Sequence, residues 1–474
     1  MLDSRILSRV LHRALARGAD FAEIYGEERN TGSLFYEDGR LEKVNQGLEK
    51  GAGIRVVKNG NTAYVYTNDI SEEGLLRGID TAYHAAAKAR DLDEELALRI
   101  KEAPFVFSPV RRPEEVEWEE KIRWAKEADR AARSLGEEIR QVTVGIAEVE
   151  KKVVIANTEG ELVEKEEVRT RAVVNVVACK DGIMQTGYET AGGAAGWEIL
   201  GEDGLNGLAV KAGDLALRLL EAKPAPAGRM PVVMAAEAGG TMVHEACGHG
   251  LEADLVGKGL SVYKDKKGKQ VASELVTVID DATLDKKYGS YVFDDEGVPG
   301  QRTILIAKGE LKGYMYDRLT AARDGVLSTG NGRRESYQHK PVPRMSNTFI
   351  APGNDRIEEI IRSTPYGLLV KKMGGGQVNT TNGDFVFEVK EGYLIRDGEV
   401  AELVRGATIS GNGPEALLNV DRVGNDLGFA IGVCGKEGQG VPVADAQPTI
   451  RIKELTVGGI VEEETPAIKR IRRR

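Results

Sequence analysis

The chain has 474 residues, enough for two or three domains that each bury a core. Hydrophobic residues make up 41% and charged residues 30%, which excludes disordered and collagen-like classes. A formal net charge of −10 argues against nucleic acid as a partner except through a local basic patch, and the one present, Lys469-Arg470 with Arg472-Arg473-Arg474, reads as a solvated tail.

The first residues lack the unbroken apolar run of a signal peptide. Ile6, Leu7, Val10, Leu11 and Ala14 fall at helical spacing, and Gly18 suits the cap of that helix. Short strands are expected at 22–25, 33–36, 41–44, 53–57 and 63–66, with Asp38-Gly39 and Asn59-Gly60 as hairpin turns. Ser71-Glu72-Glu73 opens a second helix that runs into Ala85-Ala86-Ala87. Pro104, Pro109 and Pro113 mark an extended link. Beyond it come a charged amphipathic helix over 114–135, two or three antiparallel strands over 139–177, and a helix over 205–220.

The small-residue, Pro-rich stretch 222–228 is the best boundary. It divides an N-terminal α+β domain, 1–222, from a β-rich C-terminal domain, 229–474, that carries the helix of the metal motif. Phe385, Phe387 and Val389 alternate as in a strand, and Asp397-Gly398 marks a hairpin. Strands and helices do not alternate regularly, so the expected class is α+β rather than a doubly wound parallel sheet. The longest mostly apolar stretch, 231–243, is broken by Glu237 and two glycines and is too short to span a bilayer. Cys179, Cys247 and Cys434 are too few and too scattered for a disulfide framework. A cytoplasmic protein without membrane attachment is expected.

Two of only five histidines lie in His244-Glu245-Ala246-Cys247-Gly248-His249. Neutral imidazoles bind Zn²⁺ and leave it Lewis-acidic, and an adjacent carboxylate can take a proton from a zinc-activated water. Residues five apart lie about 140° apart around a regular α-helix, too far to share one ion. The segment is therefore expected to widen into a π-type turn or to end early at Gly248, with the second histidine on non-α backbone. Two histidines leave a catalytic zinc one protein ligand short. Cys247, Glu252, Asp254, His339 and Cys434 are the candidates, and spacing alone does not choose between the cysteines.

Several separated motifs resemble the TldD/PmbA family, specifically its TldD-type members, over nearly the whole chain. They are Gly18-Ala19-Asp20-Phe21-Ala22-Glu23, Gly51-Ala52-Gly53-Ile54-Arg55-Val56 and the run from Met242 to Asp254. Further on come Gly330-Asn331-Gly332-Arg333, Pro343-Arg344-Met345-Ser346-Asn347-Thr348, Val404-Arg405-Gly406-Ala407-Thr408 and Cys434-Gly435-Lys436-Glu437-Gly438-Gln439. The resemblance implies a zinc peptidase with His244, His249 and Cys434 as ligands and Glu245 as general base. On those grounds Cys247 is a buried bystander and Cys179 a core residue. It also implies a dimer, with a motif-less TldE/PmbA-type paralogue, whose enclosed site admits extended or unfolded peptides. The competing class is a non-catalytic peptide-binding or regulatory subunit, including a modulator of DNA gyrase.

The remaining motifs have plain readings. Gly374-Gly375-Gly376 lacks the Gly-Lys-Ser/Thr of a phosphate loop, and the glycines of 435–440 are in the wrong order for a dinucleotide fingerprint. Asp280-Asp281 and Asp294-Asp295-Glu296 lack EF-hand spacing and read as solvated turn charges. His339 could stabilise a transition state or face solvent. Arg333 and Arg334 could bind a peptide carboxylate, the plainer reading being exposed helix or loop charges.

Overall fold

A computed structural model describes residues 2–86 and 96–459 of the chain. The basic C-terminal tail and the last residue of the Ala85-Ala86-Ala87 run lie outside them.

The architecture is α+β. Its first part contains α1 (Ser4–Ala16), β1 (Phe21–Glu37), β2 (Arg40–Lys58), β3 (Asn61–Thr67), α2 (Glu72–Ala86) and β4 (Arg99–Ile100). After these come α3 (Trp118–Arg133), β5 (Ile139–Asn157), β6 (Glu161–Lys180), β7 (Ile183–Gly193) and α4 (Gly204–Leu220). The strands form one sheet in the order β3-β2-β1-β5-β6-β4, with β7 also on β6. Leu7, Val10, Leu11 and Ala14 of α1 and Leu75, Ile79 and Ala82 of α2 pack on Ile24, Ile54 and Val56. Helices α3 and α4 cover the opposite stretch, around Val142, Val144, Val174 and Val176.

Both expected hairpin turns form, with positive φ at Asp38 and Gly39 and at Asn59 and Gly60; that backbone twist matches the flanking strands, and Gly adopts it without steric cost. The five short strands expected between residues 22 and 66 are three, because β1 and β2 run unbroken for 17 and 19 residues. Apolar alternation hid this: residues 40–50 of β2 are exposed on both faces, so no hydrophobic period marks them. Continuous pairing of β1 with β5, from Glu23↔Asn157 to Glu37↔Thr143, holds the middle of the sheet instead. Cys179 is half-buried rather than a core residue, since its neighbours Ala172, Val174, Val176 and Ala178 take the inward positions of β6.

The second part begins with β8 (Lys223–Pro224) and β9 (Gly228–Met234), followed by β10 (Val278–Asp281), β11 (Arg302–Ala307) and β12 (Glu310–Leu311). The pair β13 (Gly332–Arg333) and β14 (Val342–Pro343) precedes β15 (Asn347–Ile350), β16 (Tyr366–Val378), β17 (Asp384–Arg396) and β18 (Glu399–Arg405). The chain ends with β19 (Thr408–Asn412), β20 (Val420–Val423), β21 (Gly428–Lys436), β22 (Gln439–Gln447) and β23 (Ile450–Gly458). One sheet runs β16-β9-β23-β19-β17-β18-β8, and an extra β16–β17 pairing closes five of its strands into a ring. The other runs β12-β11-β10-β15-β22-β21, with β21 at its edge. The metal-motif segment lies in the core that these strands share, beside Met234, Val370 and Phe387.

Buried charges join the two parts. Arg334, fully buried after β13, donates to Glu23 of β1 at 2.6 Å, and Arg55 of β2 pairs with Glu23 at 3.1 Å and with Glu296 at 2.6 Å. Lys165 of β6 pairs with Asp295 at 2.8 Å. The acidic runs expected as solvated turns are therefore interior: Asp294 and Glu296 are 1% and 0% exposed, and Asp280 accepts from Asn331, Ser346 and Thr348. Arginine and lysine side chains, backbone amides and side-chain donors from distant strands meet these carboxylates in the interior, which local sequence could not show. Arg333 and Arg334 are likewise buried, not exposed.

Removing one partner of a buried pair strands the other charge, so Arg334→Met is expected to cost about 3–5 kcal/mol. Urea unfolding should show a lower midpoint, with Glu23→Leu on the same background recovering part of the loss; full stability in the single variant would contradict the assignment.

Candidate metal centre

The metal-motif segment is not one helix. An α turn at Thr241–Val243 widens into a π turn at His244–Gly248, tightens to a 3₁₀ turn at His249–Leu251, and breaks at Glu252 before a short helix at Ala253–Lys258. The amide of His249 donates to the carbonyl of His244, so the five-residue hydrogen bond links the two histidines themselves. Their rings lie 4.9 Å apart, centroid to centroid, at 84°. The expected departure from α geometry is therefore present, and it puts both imidazoles on one side of the segment.

Packing fixes the turn. The Ala246 carbonyl accepts from the buried Tyr263 hydroxyl at 2.9 Å, and the Gly250 carbonyl accepts from the Ser261 hydroxyl at 2.5 Å. A Cβ on Gly248 would come within 2.2 Å of the Met345 sulfur. Cys247 faces away from the histidines, donating to the Val243 carbonyl at 3.3 Å, and burial pushes its thiol up to about 12.

Cys434, on edge strand β21, arrives from across the fold. Its sulfur lies 3.4 Å from His249 Nε2, and the ligand atoms of His244, His249 and Cys434 all fall within 4.8 Å of one another. Glu252, Asp254, Cys247 and His339 stand outside this cluster; His339 bonds Ser336 instead, at 3.1 Å.

Each imidazole has its Nδ1 held by a carboxylate, His244 by Asp445 of β22 at 2.8 Å and His249 by Glu252 at 3.2 Å. That arrangement fixes the ring orientation and leaves Nε2 for an ion. Lys436 bonds Glu252 at 3.0 Å and Asp254 at 2.6 Å, and Arg344, fully buried, donates to the Cys434 carbonyl. Sequence reasoning missed Asp445, Lys436 and Arg344 as orienting groups. The spacing of His249 and Glu252 carried a signal for one orienting carboxylate, whereas Asp445 comes 201 residues after its histidine and carries none.

Without an ion, the electrostatics describe a thiolate held between two imidazoliums, whose protons a bound metal would displace. Burial pushes the Cys434 thiol up, but His244 and His249 outweigh that and hold it at about 5, so it is a thiolate at neutral pH. Burial pulls His249 down, yet Glu252 and Cys434 raise it to about 9. His244 also stands well above the usual imidazole value, burial being outweighed by Asp445 and Cys434. Glu252 stays near 2 because Lys436 and His249 overcome its burial. A buried thiolate with two imidazoles within reach could hold a metal ion, and nitrogen and sulfur donors are the kind that suit zinc.

A cleft of about 600 Å³ opens over the cluster, lined by Glu245, by Gly376–Val378 of β16 and by residues 430–436 of β21. Glu245 is half-buried and makes no hydrogen bond with the described residues. Burial raises its pKa, with His244 and His249 working in the opposite direction.

A β-rich fold that gathers two imidazoles, a thiolate and a free carboxylate in one cleft has the donor set of a metal-dependent hydrolase. Comparison with known proteins narrows it. Three models of the PmbA/TldA metallopeptidase match the chain: domain 1 over residues 22–86, the central domain over 111–220 and the C-terminal domain over 227–459. A Haemophilus influenzae protein named metalloprotease TldD homolog is 36% identical over 466 residues, 97% of each chain. A Thermotoga maritima structure described as a candidate modulator of a DNA gyrase superposes with a TM-score of 0.78 at 25% identity, covering 96% of this chain and 99% of that one. TldE from Thermococcus kodakarensis shares the fold, with a TM-score of 0.74 at 20% identity over 96% and 99% of the two chains. The chain belongs to the PmbA/TldD metallopeptidase family.

Two outcomes follow for the cluster. After chelation, iodoacetamide at pH 7–8 should label Cys434 and spare Cys247, with the rate falling as pH drops through about 5; peptide mapping that finds Cys247 modified first would contradict the geometry. Glu252→Gln should weaken metal binding about 10–100-fold in chelator competition.

Proposed function

We infer that the protein is a zinc-dependent peptidase acting on extended or unfolded peptides. The observation that carries this reading is the meeting of His244, His249 and Cys434 beneath a cleft that Glu245 lines. The relatives' name, metalloprotease, supports it. His244, His249 and Cys434 would hold the ion, and the two neutral imidazoles with one thiolate leave it a net positive charge. Bound there, Zn²⁺ supplies Lewis-acid polarisation of a carbonyl and acidification of water.

The chain's own residues do the rest. Asp445 and Glu252 hold the imidazoles in the tautomer that presents Nε2. Glu245 accepts the proton of the attacking water on its carboxylate and passes it to the departing amine nitrogen. Its raised pKa brings donor and acceptor forms closer in energy than an exposed glutamate would allow. Beyond residues 428–430, which pack on the 236–238 turn, β21 is a sheet edge beside the cleft. A peptide added along it gains main-chain hydrogen bonds and little side-chain selection.

The shared fold of TldE supports pairing with a motif-less paralogue that would close the site into a chamber. Three free cysteines fit a reducing cytoplasm. Among the described residues no helix is long and apolar enough to cross a membrane. A purely regulatory subunit has no use for a half-buried carboxylate lining this cleft, so the peptidase reading is the stronger.

Glu245→Gln should lower hydrolysis of an unstructured peptide by about 10²–10⁴-fold while zinc content, read by elemental analysis, stays at the wild-type level. Undiminished cleavage in the variant would sink the mechanism. Chelation should abolish cleavage and added zinc restore it.

A further inference from the structure

A second cavity, of about 290 Å³, lies between the two parts of the fold. Strands β1, β5 and β6 form one wall, and the other is made by residues 288–295, 333–335 and the β21–β22 hairpin. Val433 lines both this cavity and the cleft over the metal cluster. It is 55% exposed and precedes Cys434, which is buried. Successive side chains of a strand point to opposite faces, so the cavity lies on the face of β21 opposite the cluster.

The charged groups lining the cavity are not all paired with one another. Glu167 is engaged by Lys165 at 2.7 Å and by Arg169, and Asp295 by Lys165 at 2.8 Å. Asp294 accepts from the amides of Glu296, Val298 and Gly332, each at 2.9 Å. Glu335 accepts from the Gly440 amide at 2.6 Å. Lys151 reaches Glu27 at 3.9 Å and Arg334 pairs with Glu23 at 2.6 Å, which leaves Arg29 and Arg333 without an ion pair among the described residues. Arg333, 4% exposed, donates only to the carbonyls of Met345 at 2.5 Å and Pro442 at 2.8 Å, and lies over the Tyr291 ring at 4.9 Å. Arg29 has a buried Nε without a partner and forms no ion pair among the described residues. A buried guanidinium without a counter-anion is costly, and a planar carboxylate is the anion that its forked donors fit.

We propose that this cavity is a subsite for a carboxylate of the peptide bound along β21, recognised by Arg29 and Arg333. The proposal rests on the reading of β21 as the strand that holds substrate. A peptide paired with β21 sends alternate side chains to the metal face and to the cavity face, so an acidic side chain or the chain terminus next to the residue at the metal reaches the two arginines. Such a subsite selects by charge and sets the register of the peptide on an edge whose main-chain bonds are otherwise indifferent to sequence.

The test is fluorescence anisotropy of labelled, unstructured peptides on the zinc-loaded full chain carrying Glu245→Gln. Each peptide has Glu or Gln at one scanned position and either a free or an amidated C-terminus. A charge-assisted hydrogen bond lost with the carboxylate predicts about tenfold tighter binding of the acidic peptide at one position, or of the free acid over the amide; which pair discriminates identifies the source of the carboxylate. Arg29→Gln, at a half-buried strand position, should bring that ratio close to one, and Arg333→Met should do the same. No discrimination in any pair, or a ratio that survives both variants, overturns the subsite. Inorganic phosphate that binds the chain, loses that binding in both Arg29→Gln and Arg333→Met, and leaves the affinity of the acidic peptide unchanged also overturns it, because the cavity then serves a free anion. Discrimination without hydrolysis by the zinc-loaded wild-type chain supports the subsite and overturns the peptidase reading alone. Hydrolysis without discrimination does the reverse, and failure of every peptide to bind overturns both.

Discussion

Two side chains five residues apart can share an ion only if the backbone between them gives up α-helical geometry. Everything else at this site depends on that constraint. The His249-to-His244 hydrogen bond satisfies it within a single π turn. A widened turn displaces the regular pattern of carbonyl partners, and here side-chain hydroxyls from Tyr263 and Ser261 meet the carbonyls of Ala246 and Gly250. Gly248 and Gly413 are small where Met345 and the Ala246 carbonyl crowd them. The surrounding core is thus shaped to hold a local conformation that the isolated segment would not keep.

The same core holds charge. A thiolate, two imidazoles and two carboxylates lie within one buried neighbourhood, and each is stabilised by a neighbour of the opposite tendency. Lys436 steadies Glu252, Glu252 fixes His249, and His249 with His244 keeps Cys434 ionised. Because Cys434 and Lys436 are two residues apart on β21, one strand supplies both the thiolate and the cation that orders the opposite carboxylate. A shift of that strand by one residue would turn both side chains to the other face.

How much of this was legible in the sequence varied with range. The helices at 4–16 and 204–220 follow from their apolar spacing, and the Asp-Gly and Asn-Gly turns from their φ preferences. The long strand β2 reads as fragments because residues 40–50 bury neither face, whereas β1 buries Leu34 and Tyr36 on one face and continues through the polar run 28–31 by pairing with β5. The π turn followed from ideal helix geometry applied to His244 and His249. Spacing left Cys247 and Cys434 equal, and the resemblance pointed to Cys434, the cysteine that the fold brings beside the histidines. Asp445, and the interior placement of Asp294, Glu296, Arg333 and Arg334, depend on strand partners up to 311 residues away, as in the Arg334–Glu23 pair. The Glu437-Gly438 turn, with positive φ at both residues, joins β21 to β22 and lacks the usual Asn or Asp signal.

An open sheet edge is ordinarily a hazard that proteins cover, charge or shorten. Here the start of β21 is covered by the 236–238 turn, while the portion bearing Cys434 is left to line the cleft. That portion alternates Cys434 and Lys436 toward buried partners with exposed Val433 and Gly435, which gives it two usable faces. Its hairpin partner β22 carries Asp445 toward the histidine and the Pro442 carbonyl toward Arg333. The hairpin is therefore the element that ties the buried charges between the two parts of the fold to the metal cluster.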